Sequence, residues 1–306
     1  MGASVALVLL GHRLLPNWRG MGNTLDSGLP WLGLAVPVLA LVAFARWSWL
    51  ALAGAVIPAV MWAMMFGPPF VRAPGTGTGP RDLRVVHQNV DYTNSDLAAT
   101  ARALRATDAD ILVAVEVPDD PVLMDGTVDP DFAREINPGY PYRFPDNPGV
   151  AVWSRYPVEG RPQPVPGVVR SRHAIIRTPQ GSVSLYAVHV ASFRPDQPAL
   201  IANRNAEVEA LARAVQGDPS HRIIVVGDLN TATTDRELSR LTALLPSVAD
   251  RAGTGLQFTW PSTLPVVRLD HVLTRGFTVL DSRVLSRTTS DHRAILADLR
   301  ASATDD

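Results

Sequence analysis

Apolar residues are unevenly spread along this chain. Residues 31–45 (WLGLAVPVLALVAFA) and 47–66 (WSWLALAGAVIPAVMWAMMF) are uncharged apolar runs, and residues 3–10 (ASVALVLL) form a shorter third run. The second run has the length, about 20 residues, that crosses a hydrocarbon core of ~30 Å. The first, of about 15 residues, spans comfortably only if residues 27–30 join it. Trp31, Trp47 and Trp49 flank the two runs like interfacial anchors. A buried helical hairpin of a soluble protein would give a similar pattern. The third run is too short to cross alone. It reads as the stub of a first helix that starts upstream, or as an interfacial segment. A signal peptide fits less well, because His12 and Arg13 follow the run where small residues would mark cleavage. Residues 67–80 (GPPFVRAPGTGTGP) end the apolar region and read as an extended, flexible linker. The expected organisation is membrane-anchoring helices over 1–66, a linker over 67–80 and a soluble domain over 81–306.

From Arg81 onward the pattern changes to short apolar runs alternating with helical periodicity. Strands are expected at 83–89 (LRVVHQN), 110–117 (DILVAVEV), 149–154, 174–178, 183–190 (VSLYAVHV), 223–230 (IIVVGDLN), 269–274, 277–285 and 294–299. Helices are expected from an N-cap at Ser95 through Ala106, over 198–215, and over 235–245. Many strands with interspersed helices predict an α+β fold. Two mixed sheets pack face to face with helices outside, as a four-layer α/β/β/α sandwich.

Composition narrows the chemistry. The chain has no Cys, which excludes disulfides, thiolate metal sites and a Cys nucleophile. All 28 basic residues are Arg, a bias we read as genomic. Formal net charge is -1, and the part from Arg81 onward is more acidic than the whole. No basic bias toward a polyanion such as DNA is present. Arg46 sits in the turn between the long runs. If that turn is cytoplasmic, the soluble domain lies outside the cytoplasm, although Arg13 and Arg19 then lie outside too. We take the extracytoplasmic placement as the expectation.

The first polar residues after the apolar runs are suggestive: Asn89, Glu116, His189, Asp228 with Asn230, Asp270 with His271, and Asp291 with His292 before the last strand. Taken singly, each has a structural explanation as a turn residue, a surface acid or a core His. Gathered at one edge of a sandwich, they suit hydrolysis of a phosphate ester. Glu116 and Asp291 are hard oxygen ligands for Mg²⁺ (or Mn²⁺), which keeps open positions for water and substrate. Asn side chains position phosphoryl oxygens, and a His with a carboxylate partner moves a proton near neutral pH.

The segments HQNV (87–90), ILVAVEV (111–117), GVAVWSRYPV (149–158), LYAVHV (185–190), VVGDLNT (225–231), LDHVL (269–273) and SDHRAI (290–295) together resemble the endonuclease/exonuclease/phosphatase superfamily. The resemblance implies a metal-dependent phosphoesterase. It assigns Asn89 to phosphate or metal, Glu116 and Asp291 to the metal, and His189 to phosphate contact and leaving-group protonation. Asp228 and Asn230 orient the attacking water and hold the phosphate, Asp270 pairs with His292, and His292 is the catalytic His. Either Asp228 or His292 could take the proton from water. One departure stands out: RSRHAII (170–176) puts Arg172 near the position of a Glu that pairs with His189 in deoxyribonucleases, so Arg172 or Arg170 could bind phosphate instead. The loop from Gly253 to Val267, with Phe258 and Trp260, either lines the cleft or packs in the core. The expected partners are the bilayer and a phosphate-ester substrate, whether nucleic acid, phospholipid headgroup or small phosphorylated metabolite; no protein partner is inferred. The rival reading is an inactive, membrane-tethered binding module of the same fold.

Overall fold

The computed structural model describes residues 1–72, 79–118, 128–147 and 149–303. Its elements in chain order are α1 (Gly2–Gly11), α2 (Met21–Gly28), α3 (Ala35–Ala45), α4 (Trp49–Phe66), α5 (Pro68–Val71), β1 (Leu83–Asn89), α6 (Leu97–Arg105) and β2 (Ile111–Val115). They continue with α7 (Pro130–Ile136), β3 (Tyr142–Asn147), β4 (Val150–Ser154), β5 (Val158–Gln163), β6 (Arg170–Thr178), β7 (Gly181–His189), α8 (Pro198–Gln216) and β8 (Ile223–Asp228). The last are α9 (Ser239–Leu244), α10 (Val248–Ala252), β9 (Asp270–Arg275), β10 (Phe277–Val284) and β11 (Ile295–Ala301).

The strands form two mixed sheets, β10-β11-β1-β2-β4-β3 and β5-β6-β7-β8-β9. Within them β1–β2 and β7–β8 are parallel, and the other pairs antiparallel. Alternate strand residues such as Val85, Val113, Leu185, Val226 and Ala297 meet between the sheets. The opposite faces are covered as well. Leu104 of α6 with Phe132 and Ile136 of α7 packs on Val86, Leu112 and Leu296. Val208 and Leu211 of α8 with Leu241 of α9 packs on Val188, Ile223 and Val225. This is the expected four-layer sandwich. Its central strands read as continuous apolar runs because both of their faces are buried.

Local expectations were met unevenly. The cap of α6 is Asp96, not Ser95, because the Asp96 carboxylate accepts from Ala99 N at 2.8 Å. Strand β6 begins at Arg170, earlier than expected, and residues 236–238 form a 3₁₀ turn before α9. Edge strands β3 and β5 carry no clean alternation, and β5 (VEGRPQ) contains Pro, so neither was foreseen. The short helices α7 and α10 were also unforeseen.

In the N-terminal part, two helical stretches, Trp18–Ala45 and Trp49–Phe66, are long and apolar enough to cross a membrane. Helices α1 and α3 both pack against α4. Their outer faces leave Leu7, Leu41 and Leu50 about 70% exposed or more. The polar helix α2 (MGNTLDSG) does something different: it folds onto the two-sheet part, with Asn23 and Asp26 fully buried. Asn23 Nδ2 donates to Asp235 Oδ1 at 2.7 Å, and Arg236 Nε donates to Asp26 Oδ2 at 2.7 Å. The expected extended linker is instead helical over Pro68–Val71, where Pro suits a first helical turn. This piece is docked: Gly255 N donates to Pro69 O at 2.9 Å and Arg72 Nη1 to Gly253 O at 3.1 Å. Residues 73–78 of that linker lie outside the described residues.

Candidate active site

The site is built by strand register. His189 is the partner of Asp228 across β7–β8, and Asp228 is the partner of Asp270 across β8–β9. All three continue the inward-facing positions of their strands, so they leave the apolar core side by side at one edge of the sandwich. The other sheet brings Asn89 to the same edge at the end of β1, and Glu116 just past the end of β2. His292 arrives from the loop before β11.

Local backbone chemistry turns these side chains inward. Gly227 has φ +154°, and a Cβ there would collide with the Val188 carbonyl, so β8 can bend only at a glycine. Glu116 (φ +53°) and Asn230 (φ +46°) adopt left-handed conformations, each at a cost of roughly 1 kcal/mol. Backbone strain of this kind is common at functional sites.

The contacts are dense. Asn89 Nδ2 bridges the two carboxylates, 3.0 Å from Glu116 Oε1 and 3.1 Å from Asp228 Oδ2. Asp228 Oδ1 accepts from Asn230 N at 2.8 Å, and Asn230 Nδ2 donates to Val190 O at 2.9 Å. Asp270 is fully buried between two imidazoles, with Oδ2 2.8 Å from His292 Nδ1 and Oδ1 2.9 Å from His87 Nε2. His292 Nε2 in turn points toward Asp228 Oδ2 at 3.9 Å. His271, one residue after Asp270, faces the other side of β9 and meets Thr231 O at 2.8 Å, so it takes no part in the site.

Electrostatics separate the titrating groups. Burial raises the Asp228 carboxyl to about 6, with Asp270 adding to the effect against the opposing pull of His292. Burial alone would disfavour the His292 imidazolium. The charge and hydrogen bond of Asp270, with Asp228 and Asp291, outweigh it and raise the group to about 10. Burial also opposes an Asp270 carboxylate, but His292 and His87 hold it well below the usual range. His189 is pushed well below its ordinary value by burial and by the nearby charge of Arg170, so its ring is neutral.

Glu116, His189 and Asp228 place ligand atoms within 4.8 Å of one another, a donor set suited to a small divalent cation. Both ring nitrogens of His189 are buried without an aligned hydrogen-bond partner, although Glu116 Oε1 lies 3.3 Å from Nε2. Buried polar atoms left this way are rare unless a ligand completes them. Asp291 lines the same cleft as Glu116 but does not join that cluster; its Oδ2 accepts from Trp260 Nε1 at 3.1 Å. Arg172 is not among the residues lining the cleft, and its Nη1 donates to Ser171 O at 3.2 Å. Arg170 is closer to the chemistry, holding the His189 and Val190 carbonyls at 3.3 Å.

Several participants escaped the sequence reading. His87 lies two residues before Asn89, on the same face of β1, and that spacing was the available signal. Ser290 Oγ donates to Asn89 O at 2.7 Å and accepts from His292 N at 3.0 Å, tying the His292 loop to β1. The open cleft, about 700 Å³, is also lined by Arg194, Trp260 and, from the N-terminal part, Ser27, Gly28 and Trp31. The 253–267 loop therefore does line the cleft, through Trp260, Val266 and Val267.

Comparison with known proteins adds the following. The sequence profile of the Endonuclease/Exonuclease/phosphatase family matches residues 86–292. No curated protein matches this chain in sequence. An endonuclease/exonuclease/phosphatase family protein from Bacteroides thetaiotaomicron superposes with a TM-score of 0.57 at 16% identity, covering 72% of this chain and 98% of that one. Truncated TDP2 from Caenorhabditis elegans gives 0.54 at 18% identity, covering 72% and 98%. A mutant beta toxin from Staphylococcus aureus, solved with bound magnesium ions, gives 0.52 at 14% identity, covering 71% and 99%.

Proposed function

This chain belongs to the endonuclease/exonuclease/phosphatase family, and on that premise we propose that it is a membrane-anchored, Mg²⁺-dependent phosphoesterase in which Asp228 activates water for in-line attack on phosphorus. The observation that carries the reading is the joint placement of His189, Asp228 and Asp270 by strand register opposite Asn89, Glu116 and His292.

The protonation pattern divides the roles. Asp228, raised to about 6, is ionised at neutral pH yet basic enough to take a proton from water. His292, raised to about 10, is an imidazolium at neutral pH and stabilises charge on the phosphoryl oxygens. Asp270 orients His292 and keeps it charged. Asn230 holds the water or a phosphoryl oxygen, and neutral His189 offers one ring N–H to the phosphate. Asn89 fixes the two carboxylates relative to each other. Glu116, with Asp291 across the cleft, would hold the metal. When bound, Mg²⁺ neutralises charge that develops on phosphorus and the leaving oxygen.

The anchor rests on the lipid-like exposure of α1, α3 and α4. So large an exposed apolar surface, on α4 and on the longer helical stretch that ends in α3, fits hydrocarbon better than water. The division into anchor (1–66), linker (67–80) and catalytic domain (81–306) remains our reading of the chain, with the docked α2 as a joint between them. The Arg46 turn is at the far end of the helical pair from the catalytic domain. We assign that turn to the cytoplasmic face and the domain to the outside. Protease accessibility in sealed vesicles tests this, and protection of the domain in right-side-out vesicles would reverse it. The active site faces the anchor, which favours a phospholipid headgroup over nucleic acid or a soluble metabolite.

The decisive assay is Mg²⁺-dependent phosphodiester hydrolysis by the full chain, with His292→Ala as control. Activity that is equal in the mutant would end the assignment. A folded chain that binds phosphate esters but turns none over would indicate the binding-module alternative.

A further inference from the structure

Beside the catalytic cleft lies a second cavity of about 290 Å³, walled by the membrane helices on one side and the catalytic half on the other. Pro30 comes from the entry to the first long apolar stretch, Met65 and Phe66 from the exit of α4, and Leu256 and Phe258 from the 253–267 loop. The two cavities adjoin, with Ser27, Ala232 and Val267 lining both. Trp31 pins this junction. Its Nε1 donates to Val266 O at 2.9 Å, and its ring lies 5.8 Å from that of Phe258.

The charged groups at the rim are engaged with protein. Arg268 pairs with Asp250 at 2.7 Å and donates to Thr233 Oγ1 at 2.7 Å, while Arg72 donates to the Gly253 carbonyl. Among the described residues the remaining wall is largely apolar. Because α3 and α4 are antiparallel, the start of the first stretch and the end of the second meet at the same membrane face. The cavity therefore sits where hydrocarbon gives way to headgroups, next to the site that would hold a phosphate.

We propose that this second cavity takes a hydrocarbon chain of a membrane phospholipid whose phosphate ester occupies the adjoining cleft. The inference rests on the phosphoesterase reading and names its substrate class. The N-terminal part then does more than tether the enzyme. It supplies one wall of the tail site, and Ser27, Gly28 and Trp31 supply part of the cleft itself.

The test uses the full chain in digitonin, whose rigid body does not mimic a flexible acyl chain, with two probes: methyl and octyl 4-nitrophenyl phosphate, the octyl ester below its micelle concentration. Their reactive centres are the same. The octyl ester should be hydrolysed with a kcat/KM at least about tenfold higher, since apolar pockets discriminate by roughly that factor or more. Filling the cavity by Met65→Trp or by Leu256→Trp should remove this advantage and leave methyl ester turnover unchanged. Met65 is partly exposed, so at least that variant should fold. Methyl ester turnover with no octyl advantage, or with both rates falling equally in both variants, overturns the tail site and leaves the phosphoesterase reading intact. Absence of turnover of both esters by the unmodified chain overturns the two together.

Discussion

Asp26 and Arg236, 210 residues apart in the chain, form an ion pair in which the carboxylate is buried and the guanidinium partly exposed, with Arg236 Nε 2.7 Å and Nη2 3.1 Å from the Asp26 carboxylate. The same carboxylate accepts from the Arg236 backbone N at 3.0 Å and contacts His12 Nδ1 at 2.7 Å. The N-terminal segment is therefore clamped to the turn that follows Asp228 and Asn230. Removing a partner from such a half-buried pair costs less than the roughly 3 kcal/mol of a fully buried one, because the guanidinium left behind can reach water. Asp26→Ala should accordingly lower the denaturant midpoint of the full chain and raise hydrogen exchange over residues 12–31. Unchanged exchange there would mean that the clamp contributes nothing.

His292→Ala and Asn230→Ala should each cut kcat by roughly 100-fold or more, the scale expected for lost proton-transfer and charge-stabilising groups. Circular dichroism should stay unchanged. Near-normal turnover in either purified variant would remove the residue from the proposed site.

His87 touches Asp270 and not the cleft, so it acts through its neighbour. His87→Gln should lower kcat by about 10-fold with little change in KM, as outer partners of catalytic groups commonly do. A change confined to KM would contradict this positioning role.

Activity should disappear in EDTA and return with Mg²⁺ or Mn²⁺. The metal should also raise the unfolding temperature through binding to the native state, and Glu116→Gln should abolish that increase. Full activity in EDTA would exclude the metal reading.

His271 should contribute a loss of stability in mild acid, opposite in sign to the contribution of Asp228, whose raised carboxyl takes its proton first in the fold. Burial, aided by Arg268, lowers its group from 6.5 to about 4 in the fold. The unfolded chain therefore binds the His271 proton first, and this contribution to stability is lost as pH falls from about 6.5 to about 4, then levels off. The full effect is on the order of 3 kcal/mol. His271→Gln can keep the hydrogen bond to Thr231 O without titrating, so its unfolding free energy should depend less on pH in that window. Identical slopes for the two proteins would refute the assignment.

Much of the fold and the site was legible in the amino-acid sequence for a definite physical reason. Burial on both faces writes continuous apolar runs into the central strands, and the residue that ends each run must be the one that leaves the core. Asn89, Glu116, His189, Asp228 and Asp270 stand at such ends. The same reasoning could not find His87, which lies within a run and becomes significant only because β1 of one sheet faces β9 of the other. The resemblance offered Arg172 or Arg170 as a phosphate ligand, and only the structure showed that Arg170 is the one whose charge reaches His189. Strands β3 and β5 were missed because both contain a Pro and have few apolar residues, so neither carries a strand pattern. The docking of α2 was hidden for a related reason. Asn23 and Asp26 lie between the apolar runs with no pattern that marks them, and their burial depends on Asp235 and Arg236 more than 200 residues away. Periodicity within an element determined which faces are buried. Only the tertiary structure decided which faces meet, because that depends on contacts between segments with no shared local pattern.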